Sequence, residues 1–408
     1  MSTPVFACGF ECGVSMNTNL HWGLGAGASF STTTFRSGLR SLRCNVTLAT
    51  NGFASHTNAA SANFNVARVY VYFASLPTLT SDLCLVTDGG STLGAYFNAV
   101  DSKIYAGTSL IALGATGVSV TTGVWYRLDV LVNTNANPQT VDVSVDGTAC
   151  GQATVAVAAA AKSIWRVGDA LAAATFDMFF DDFWASQSLA DYPFGGGYII
   201  SYIPNADGTH TNNGANDVER TLTGTDINIA TTTTYQLVGA RPMESASTDF
   251  INIKVAITDY VEIAYEDSVE SVAPRSVEAI VGYHDASGAG THNFVVTLRD
   301  SGGGTTADIM AAATRNVGAT MSWGRAHFTT IPGGGAWTLA AVNALRSRIN
   351  ASDASPDVYI DGLMLEAEYA PVSANPNSEG ESGLHAIGRG AVAAHNPAVR
   401  LGGWLEYH

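Results

Sequence analysis

Two stretches decide the fold of this 408-residue chain: DMFFDDFW (residues 177–184) and DVYIDGLMLE (residues 357–366). Side chains of an extended strand point alternately to opposite faces, so each stretch can present apolar groups to both faces. Each carries an aspartate after aromatic or β-branched residues, and each is followed by a looser, glycine-containing segment. We therefore predict two β-sandwich domains, each closed by a buried strand.

The positions of these stretches set the domain boundaries. We place the first domain at residues 1–190, a glycine-rich linker at 191–197, the second domain at 198–371 and an extended tail at 372–408. Two domains of about 150–200 residues can each bury a core of their own. The charged fraction of 13% is well below the ~25% of average globular domains. Few Lys and Glu, with many Thr and Val, favour an all-β fold over long exposed helices.

Charge and targeting signals limit the classes of function. A formal net charge of -16 without any basic run argues against nucleic-acid binding, because phosphate contacts need clustered Lys and Arg. The N-terminus has no charged start followed by an apolar stretch, so we expect no signal peptide and synthesis in the cytoplasm. No apolar run is long enough to predict membrane insertion. The five cysteines, an odd number without an export signal, predict buried thiols rather than a disulfide framework.

Apolar and polar residues alternate clearly in two segments of the first domain. In WYRLDVLV (residues 125–132), Tyr126, Leu128, Val130 and Val132 share one face of the strand, and Arg127 and Asp129 lie on the other. VDVSV (residues 141–145) alternates in the same way and ends at Asp146-Gly147, a strong hairpin signal. This pattern predicts an antiparallel sheet with one solvated face.

The second domain shows strand patterns at residues 249–255, 279–283, 292–298 and 357–365. It also contains one amphipathic stripe, in which Trp337, Ala341, Val342, Leu345 and Ile349 fall on one side of a helical projection. We therefore predict a sandwich with one helix, at about residues 337–349.

Several segments of the first domain occur in a recognisable order. Phe10-Glu11, FRSGLRSLRCNV (residues 35–46), WYRLDVLVNTN followed by VDVSVDGT (residues 125–148) and FFDDFWAS (residues 179–186) resemble the motifs of concanavalin-A-like, laminin-G-type jelly rolls. The resemblance covers nearly all of the first ~185 residues. It implies a jelly-roll first domain, a fold that includes lectins, glucanases and lyases.

Two segments of the second domain resemble sequences found directly behind such jelly rolls in tailed-bacteriophage virion proteins: YIISYIPNADGTHT (residues 198–211) and GGGAWTLAAVNALRSRI (residues 333–349). The resemblance implies a non-enzymatic structural protein of the virion, minor tail, fibre-like or head-decorating. Its implied partners are other virion proteins and further copies of itself. A role as an adhesin for a host surface glycan is the alternative function, and the two are compatible.

Candidate glycan contacts are Trp22 in an early glycine-rich segment, and Asp88, Tyr96, Asn98 and Asp101 around one turn region. Lectin sites stack exposed aromatic rings on sugars and fix hydroxyl groups with Asp and Asn, in some cases beside calcium. The competing interpretation is that Trp22 belongs to the core and that the Asp and Asn residues cap turns. We expect no cofactor, and calcium is the one alternative that such a site leaves open.

Catalytic motifs are missing. Retaining glycosidases need two carboxylates about 5–5.5 Å apart, and the glucanase pattern Glu-x-Asp-x-x-Glu does not occur. Asp181 and Asp182 are adjacent, so on a regular strand they would face opposite sides. The acidic residues between 262 and 270 fit a solvated loop or edge. We predict that the chain is not an enzyme and assign no catalytic residue; a carbohydrate-active enzyme is the third, disfavoured hypothesis.

The tail ends in LGGWLEYH (residues 401–408), an apolar end on a polar linker. A free terminus is more often polar, and ordering such a segment costs conformational entropy. We predict an assembly arm that docks on another subunit, or alternatively on its own chain. The candidate contact residues are Leu401, Trp404, Leu405 and Tyr407.

Overall fold

A computed structural model gives the structure of the chain. It describes residues 4–11, 22–47, 50–108, 114–171, 174–208, 218–222, 225–228, 250–253, 260–284, 289–300, 306–318, 322–351 and 358–370. Within these ranges the chain is built from antiparallel strands, with a 3-10 turn at Leu189–Asp191 and one α-helix, α1, at Leu339–Asn343. The all-β prediction is confirmed. The tail and its four candidate contact residues lie outside the described residues.

Strands of the first 186 residues form two sheets that face each other. Their shared core contains Val71, Phe73 and Val130 from one sheet and Phe97 and Trp165 from the other, all nearly or fully buried. The strands are β1 (Pro4–Cys8), β2 (Gly23–Leu24), β3 (Ala28–Ser31), β4 (Ser41–Val46), β5 (Gly52–Ser61), β6 (Phe64–Ser75), β7 (Ser81–Thr87), β8 (Thr92–Asn98), β9 (Lys103–Thr108), β10 (Val118–Ser119), β11 (Trp125–Asn133), β12 (Gln139–Val145), β13 (Thr148–Ala149), β14 (Ala153–Val155), β15 (Lys162–Asp169) and β16 (Phe176–Ser186).

Sheet I has nine strands in the order β13-β12-β11-β6-β16-β4-β3, with β1 beside β16 and β14 beside β12. Sheet II has seven strands in the order β10-β9-β8-β7-β15-β5-β2. The predicted closing strand, β16, lies in the middle of sheet I between β6 and β4. Its apolar side chains on both faces follow from that central position, because both faces of the sheet are covered there.

Two further sheets contain strands of residues 198–369. The seven-stranded sheet III and the five-stranded sheet IV enclose a second core that includes Val261, Val281, Val296, Leu298 and Leu363. The strands are β17 (Tyr198–Tyr202), β18 (Pro204–Asp207), β19 (Val218–Leu222), β20 (Thr225–Asn228), β21 (Phe250–Ile253), β22 (Tyr260–Tyr265), β23 (Pro274–His284), β24 (Ala289–Arg299), β25 (Thr306–Gly318), β26 (Ser322–Phe328), β27 (Arg346–Ala351) and β28 (Val358–Tyr369). Sheet III runs β20-β19-β21-β28-β23-β26 with β17 beside β28, and sheet IV runs β18-β22-β27-β24-β25.

The predicted helix at residues 337–349 is wrong in its extent. Helix α1 begins after Thr338, whose side chain accepts a hydrogen bond from the amide of Ala341, and it ends at Asn343. The remainder is strand β27, which lies between β22 and β24. Leu345, Ser347 and Ile349 are buried there at every second position, and this period of two fits a strand better than a helix. The apolar residues of this stretch fit both a helical period and a period of two. Pairing with β22 on one side and β24 on the other favours the strand.

The glycine-rich linker at residues 191–197 packs against sheet I, in contrast to the expectation of a loose connection. Phe194 contacts Trp184, with ring centroids 3.8 Å apart. The carbonyl of Gly197 accepts a hydrogen bond from Arg36 Nη1 at 2.9 Å. A Cβ on Gly197 would lie 2.3 Å from the guanidinium of Arg68, so this close approach requires glycine.

The two pairs of sheets share a packed interface. Arg68 of β6 forms an ion pair with Glu368 of β28 at 3.0 Å, and both side chains are fully buried. Arg325 of β26 reaches His56 of β5, with 2.6 Å between Nη2 and Nε2. Three residues of sheet III pack into the first core: Ile280, Trp323 and Met364. The linker and these contacts fix sheets I and III against each other.

A buried carboxyl at this interface predicts a pH-dependent stability. Burial raises the pKa of Glu366 well above its ordinary value, and the nearby carboxylates of Glu11 and Glu278 raise it further. Between the unfolded value of about 4.3 and the raised folded value, folding takes up a proton, so stability falls as the pH rises. Glu366→Gln keeps the neutral form at every pH. We expect this substitution to raise the free energy of unfolding at pH 7 by at least about 1 kcal/mol. At pH 4 we expect the free energy of unfolding to stay close to that of the wild type.

The measurement is urea denaturation at both pH values, with Asp267→Asn as the matched control because Asp267 is exposed. The control should match the wild type at both pH values. A Glu366→Gln variant that is equally destabilised at pH 7 and pH 4 would contradict the raised pKa.

Candidate functional site

Two of the predicted glycan contacts are core residues, so the structure corrects them. Trp22 is fully buried, with its ring centroid 5.2–5.7 Å from those of Phe6, Phe10, His56 and Phe183. Tyr96 is fully buried, and its hydroxyl donates to the Thr92 carbonyl or side chain. Neither ring can stack on a sugar in this structure, because a stacking face must be open to solvent.

The other three predicted residues do not form one site. Asp88 lies in the turn before β8, where it accepts hydrogen bonds from Gly90 and Ser91 amides and pairs with Lys162 at 2.5 Å. Asn98 is the last residue of β8, and Asp101 lies in the turn that follows it. The seven-residue strand β8 therefore separates them from Asp88 by about 20 Å. The side chain of Asn98 accepts from the Val100 amide, and that of Asp101 accepts from the Tyr105 hydroxyl.

Asp181 and Asp182 do not face opposite sides, as a regular strand would require. The pairing of β16 with β6 is irregular between Asp181 and Trp184, and Asp182 has a φ of 51°. Both carboxylates therefore bind the same loop. Asp181 accepts from the Arg36 amide at 2.8 Å, and Asp182 pairs with the Arg36 guanidinium at 2.5 Å. Both aspartates are fully buried, so their oxygens serve the loop rather than a substrate.

The acidic stretch at residues 262–270 is also not the simple solvated edge that the sequence suggested. Glu262 lies in β22 inside sheet IV, where it pairs with Arg299 at 2.7 Å and Arg348 at 3.0 Å. Asp267 is exposed in the following loop. The His, Cys, Asp and Glu side chains of the described ranges form no group of three or more suited to a metal ion. In the same ranges no helix has the length and apolar character to cross a membrane.

A different set of side chains forms a surface on the outer face of sheet I, which we call the aromatic row: Trp125, Tyr72 and Phe179. Trp125 of β11 is directly opposite Tyr72 of β6, and Tyr72 is opposite Phe179 of β16. The ring centroids are 5.5 Å apart for the first pair and 5.9 Å for the second. Trp125 and Tyr72 are partly exposed, whereas Phe179 is 5% exposed beneath them. The row therefore offers two rings to solvent, supported by a third.

Arg43 of β4 extends the aromatic row by one strand. It is opposite Phe179, and its guanidinium lies 5.5 Å from the centre of that ring. Two of its nitrogens donate to the two carboxylate oxygens of Asp177, at 2.9 and 2.8 Å. The side chains of Arg43 and Asp177 are 39% and 21% exposed. Hydrogen-bonding groups therefore stand at one end of the apolar rings.

Beside the aromatic row, part of this face is covered. Tyr70 lies two residues before Tyr72 on the same face and carries the Arg36 guanidinium 3.4 Å above its ring. One step further, Arg127 pairs with Asp129 at 2.9 Å, and both are largely buried. The face that the sequence predicted to be solvated is thus covered around Tyr70 and Arg127, and it is open along the aromatic row and at Ser29, Asn45 and Ser75.

Sequence reasoning missed the row because its members come from strands far apart in the chain. The signal was present in the alternation of β6, where Tyr70 and Tyr72 interleave with the core residues Val69, Val71 and Phe73. An aromatic residue on the outward face of a strand is a candidate contact. Only the register of β11, β6 and β16 shows that three such residues are neighbours.

Comparisons with known proteins show limited likeness. No family model and no curated protein matches the chain. Among solved structures, a tandem carbohydrate-binding module of Paenibacillus barcinonensis Xyn10C is 12% identical with a TM-score of 0.26, over 90% of this chain and 98% of that one. Domain 4 of the arabinanase AbnA from Geobacillus stearothermophilus, in complex with arabinotriose, is 15% identical with a TM-score of 0.33, over 46% of this chain and 94% of that one.

A sialidase is also similar, at 14% identity and a TM-score of 0.33 over 47% of this chain. The match spans 19% of that sialidase. These scores are too low to assign the chain to the family of any of the three proteins.

Proposed function

We propose that the chain is a non-enzymatic structural protein on the surface of a bacteriophage virion, and that it binds a glycan through the aromatic row. The observation that carries glycan binding is the alignment of Trp125 and Tyr72 as neighbouring, partly exposed rings on the outer face of sheet I. Sugar rings have apolar faces that pack on aromatic side chains, and their hydroxyl groups need polar partners at the edge. Arg43 and Asp177 supply such partners.

Removal of one ring tests this site. We expect Trp125→Ala to weaken glycan binding about tenfold or more, because a stacking surface worth at least ~1.4 kcal/mol is lost. The measurement is binding to a printed glycan array, followed by calorimetric titration of the best ligand. Tyr105→Ala is the matched control, because Tyr105 is a partly exposed aromatic residue on sheet II beside Asp101.

The control should bind as the wild type does. The opposite pattern, in which Tyr105→Ala loses binding and Trp125→Ala keeps it, would move the site to the turn after β8. Absence of binding to any glycan would remove this part of the proposal.

The proposal of a virion protein is supported by the resemblance of residues 198–211 and 333–349 to segments of tailed-phage virion proteins. In the structure these two segments are joined through the loop after β22. Ile203 O accepts from the Glu266 amide at 3.0 Å, and the Asn343 side chain accepts from the Ser268 amide at 2.7 Å. They belong to one structural unit, which supports treating the resemblance as a single signal.

Deletion of residues 372–408 tests the assembly role. We expect the shortened chain to keep the thermal unfolding curve of the full chain, because the described residues between 4 and 370 already form two packed cores. We also expect it to be absent from purified phage particles, because the apolar end of the tail is the proposed docking arm. The measurement is immunoblotting of particles from infected cells that supply either form. Normal incorporation of the shortened chain would contradict the docking role.

The absence of catalysis is part of the same proposal. The adjacent aspartates of β16 are buried and bound by the Arg36 loop. At the open end of the row, Asp177 is held in a two-point ion pair. General acid catalysis requires a carboxyl group that can reach the substrate and change its protonation state, and neither place offers one.

A further inference from the structure

From the geometry of the row we infer that its ligand is an uncharged oligosaccharide chain of several sugar units, which lies across the strands of sheet I. This inference rests on the proposed glycan binding and adds the size, direction and charge of the ligand. It depends on two observations: the register that aligns the row, and the pairing of Arg43 and its neighbours Arg36, Arg68 and Arg127 with carboxylates.

The register determines size and direction. Trp125, Tyr72, Phe179 and Arg43 stand opposite one another on four neighbouring strands. Neighbouring strands are about 4.8 Å apart, so the distance from the first to the last is about 14 Å. A single sugar ring covers one exposed aromatic side chain, whereas a chain of about three rings reaches from Trp125 and Tyr72 past the buried Phe179 to Arg43. The contacts therefore favour a chain perpendicular to the strands.

Charge pairing determines the chemical class. Arg43 is held by Asp177 at two points, and Arg127 is held by Asp129. Arg36 pairs with Asp182, and Arg68 pairs with Glu368. An acidic sugar would have to displace Asp177 from Arg43 and leave that carboxylate beside its own charge.

The charge of the whole chain also disfavours acidic ligands. Its formal net charge of -16 repels anionic ligands at low salt. A neutral sugar can bind without displacing Asp177 from Arg43. The free N–H groups of a paired guanidinium still donate hydrogen bonds to hydroxyl groups, and the free lone pairs of the carboxylate still accept them.

The experiment compares length and charge separately in the full chain. The probes are neutral oligosaccharides from the best-binding array glycan, prepared as fragments of one to five units, and oligogalacturonides of the same lengths as acidic counterparts. We expect affinity to rise at least tenfold from one to three units and to level off beyond. We expect the acidic fragments to bind at least tenfold more weakly than neutral ones of equal length.

Equal binding of one and three units would overturn the inferred chain length, and tighter, salt-sensitive binding of the acidic fragments would overturn the inferred charge. In both cases glycan binding at the row would stand. If no glycan binds, the glycan-binding part of the proposed function fails together with this inference.

One variant tests whether the Arg43–Asp177 ion pair, rather than the shape of the aromatic row, causes the preference for neutral sugars. Asp177→Asn keeps the size of the side chain and removes the carboxylate that holds Arg43. We expect the ratio of acidic to neutral affinity to rise several-fold in this variant, because Arg43 is then available to a sugar carboxylate. An unchanged ratio would show that the ion pair does not set the preference. Tyr105→Ala should leave the ratio at the wild-type value.

Discussion

Replacement of Glu368 by glutamine is expected to destabilise the chain by about 3 kcal/mol or more. Glu368 and Arg68 are fully buried and 3.0 Å apart, and they join β28 to β6 across the interface of sheets I and III. Arg275, which approaches Glu368 to 3.6 Å, is 40% exposed and can return to water. Arg68 cannot, so its charge remains buried after the substitution, and an uncompensated buried charge is costly.

The measurement is urea denaturation, with two companion variants. Asp177→Asn breaks the half-exposed pair with Arg43, and it should cost no more than about 1 kcal/mol because water screens such pairs. The double variant Arg68→Met/Glu368→Leu replaces both charges with apolar groups and should regain most of the lost stability. If Glu368→Gln costs as little as Asp177→Asn, sheets I and III are not packed together as described.

Replacement of Trp22 by alanine is expected to destabilise the chain by about 3–5 kcal/mol. Its ring is fully enclosed by Phe6, Phe10, His56 and Phe183, and the deletion leaves a cavity that close-packed neighbours fill only in part. Trp22→Phe keeps most of the volume and should cost much less.

This variant also separates the two interpretations of Trp22 that the sequence allowed. If Trp22 were a surface contact, the Trp22→Ala variant would lose glycan binding and keep the unfolding curve of the wild type. We expect the reverse: reduced stability, with binding per folded molecule retained. Trp125→Ala should give the complementary result, with lost binding and a smaller change in stability, since Trp125 is only partly buried. Equal unfolding curves for Trp22→Ala and wild type would contradict the core position.

The sequence predicted the strand composition well, because alternation is a local property. Residues 177–184 and 358–366 of the two stretches lie in central strands of sheets I and III. The helix at residues 337–349 was predicted at about three times its length, since an apolar stripe at residues 345–349 satisfies a helical period and a strand period alike. Pairing with β22 and β24 decided between them, and pairing partners are not encoded locally.

The candidate site was harder to predict for the same reason. Exposure of Trp22 and Tyr96 depends on which sheet covers them, and a single strand does not carry that information. The irregularity at Asp181 and Asp182 turns both carboxylates toward one loop, although regular alternation separates them. The aromatic row exists only through the register of strands that lie as much as 107 residues apart in the chain, from Tyr72 to Phe179. Sequence alternation could nominate its members but not align them.

The most direct test of the central claim is a crystal structure of the full chain with the oligosaccharide that binds best on the array. We predict sugar rings packed against Trp125 and Tyr72, with the chain running toward Arg43 and Asp177. A sugar bound at the turns of β8, near Asp88 or near Asn98 and Asp101, with the aromatic row left empty, would contradict the account.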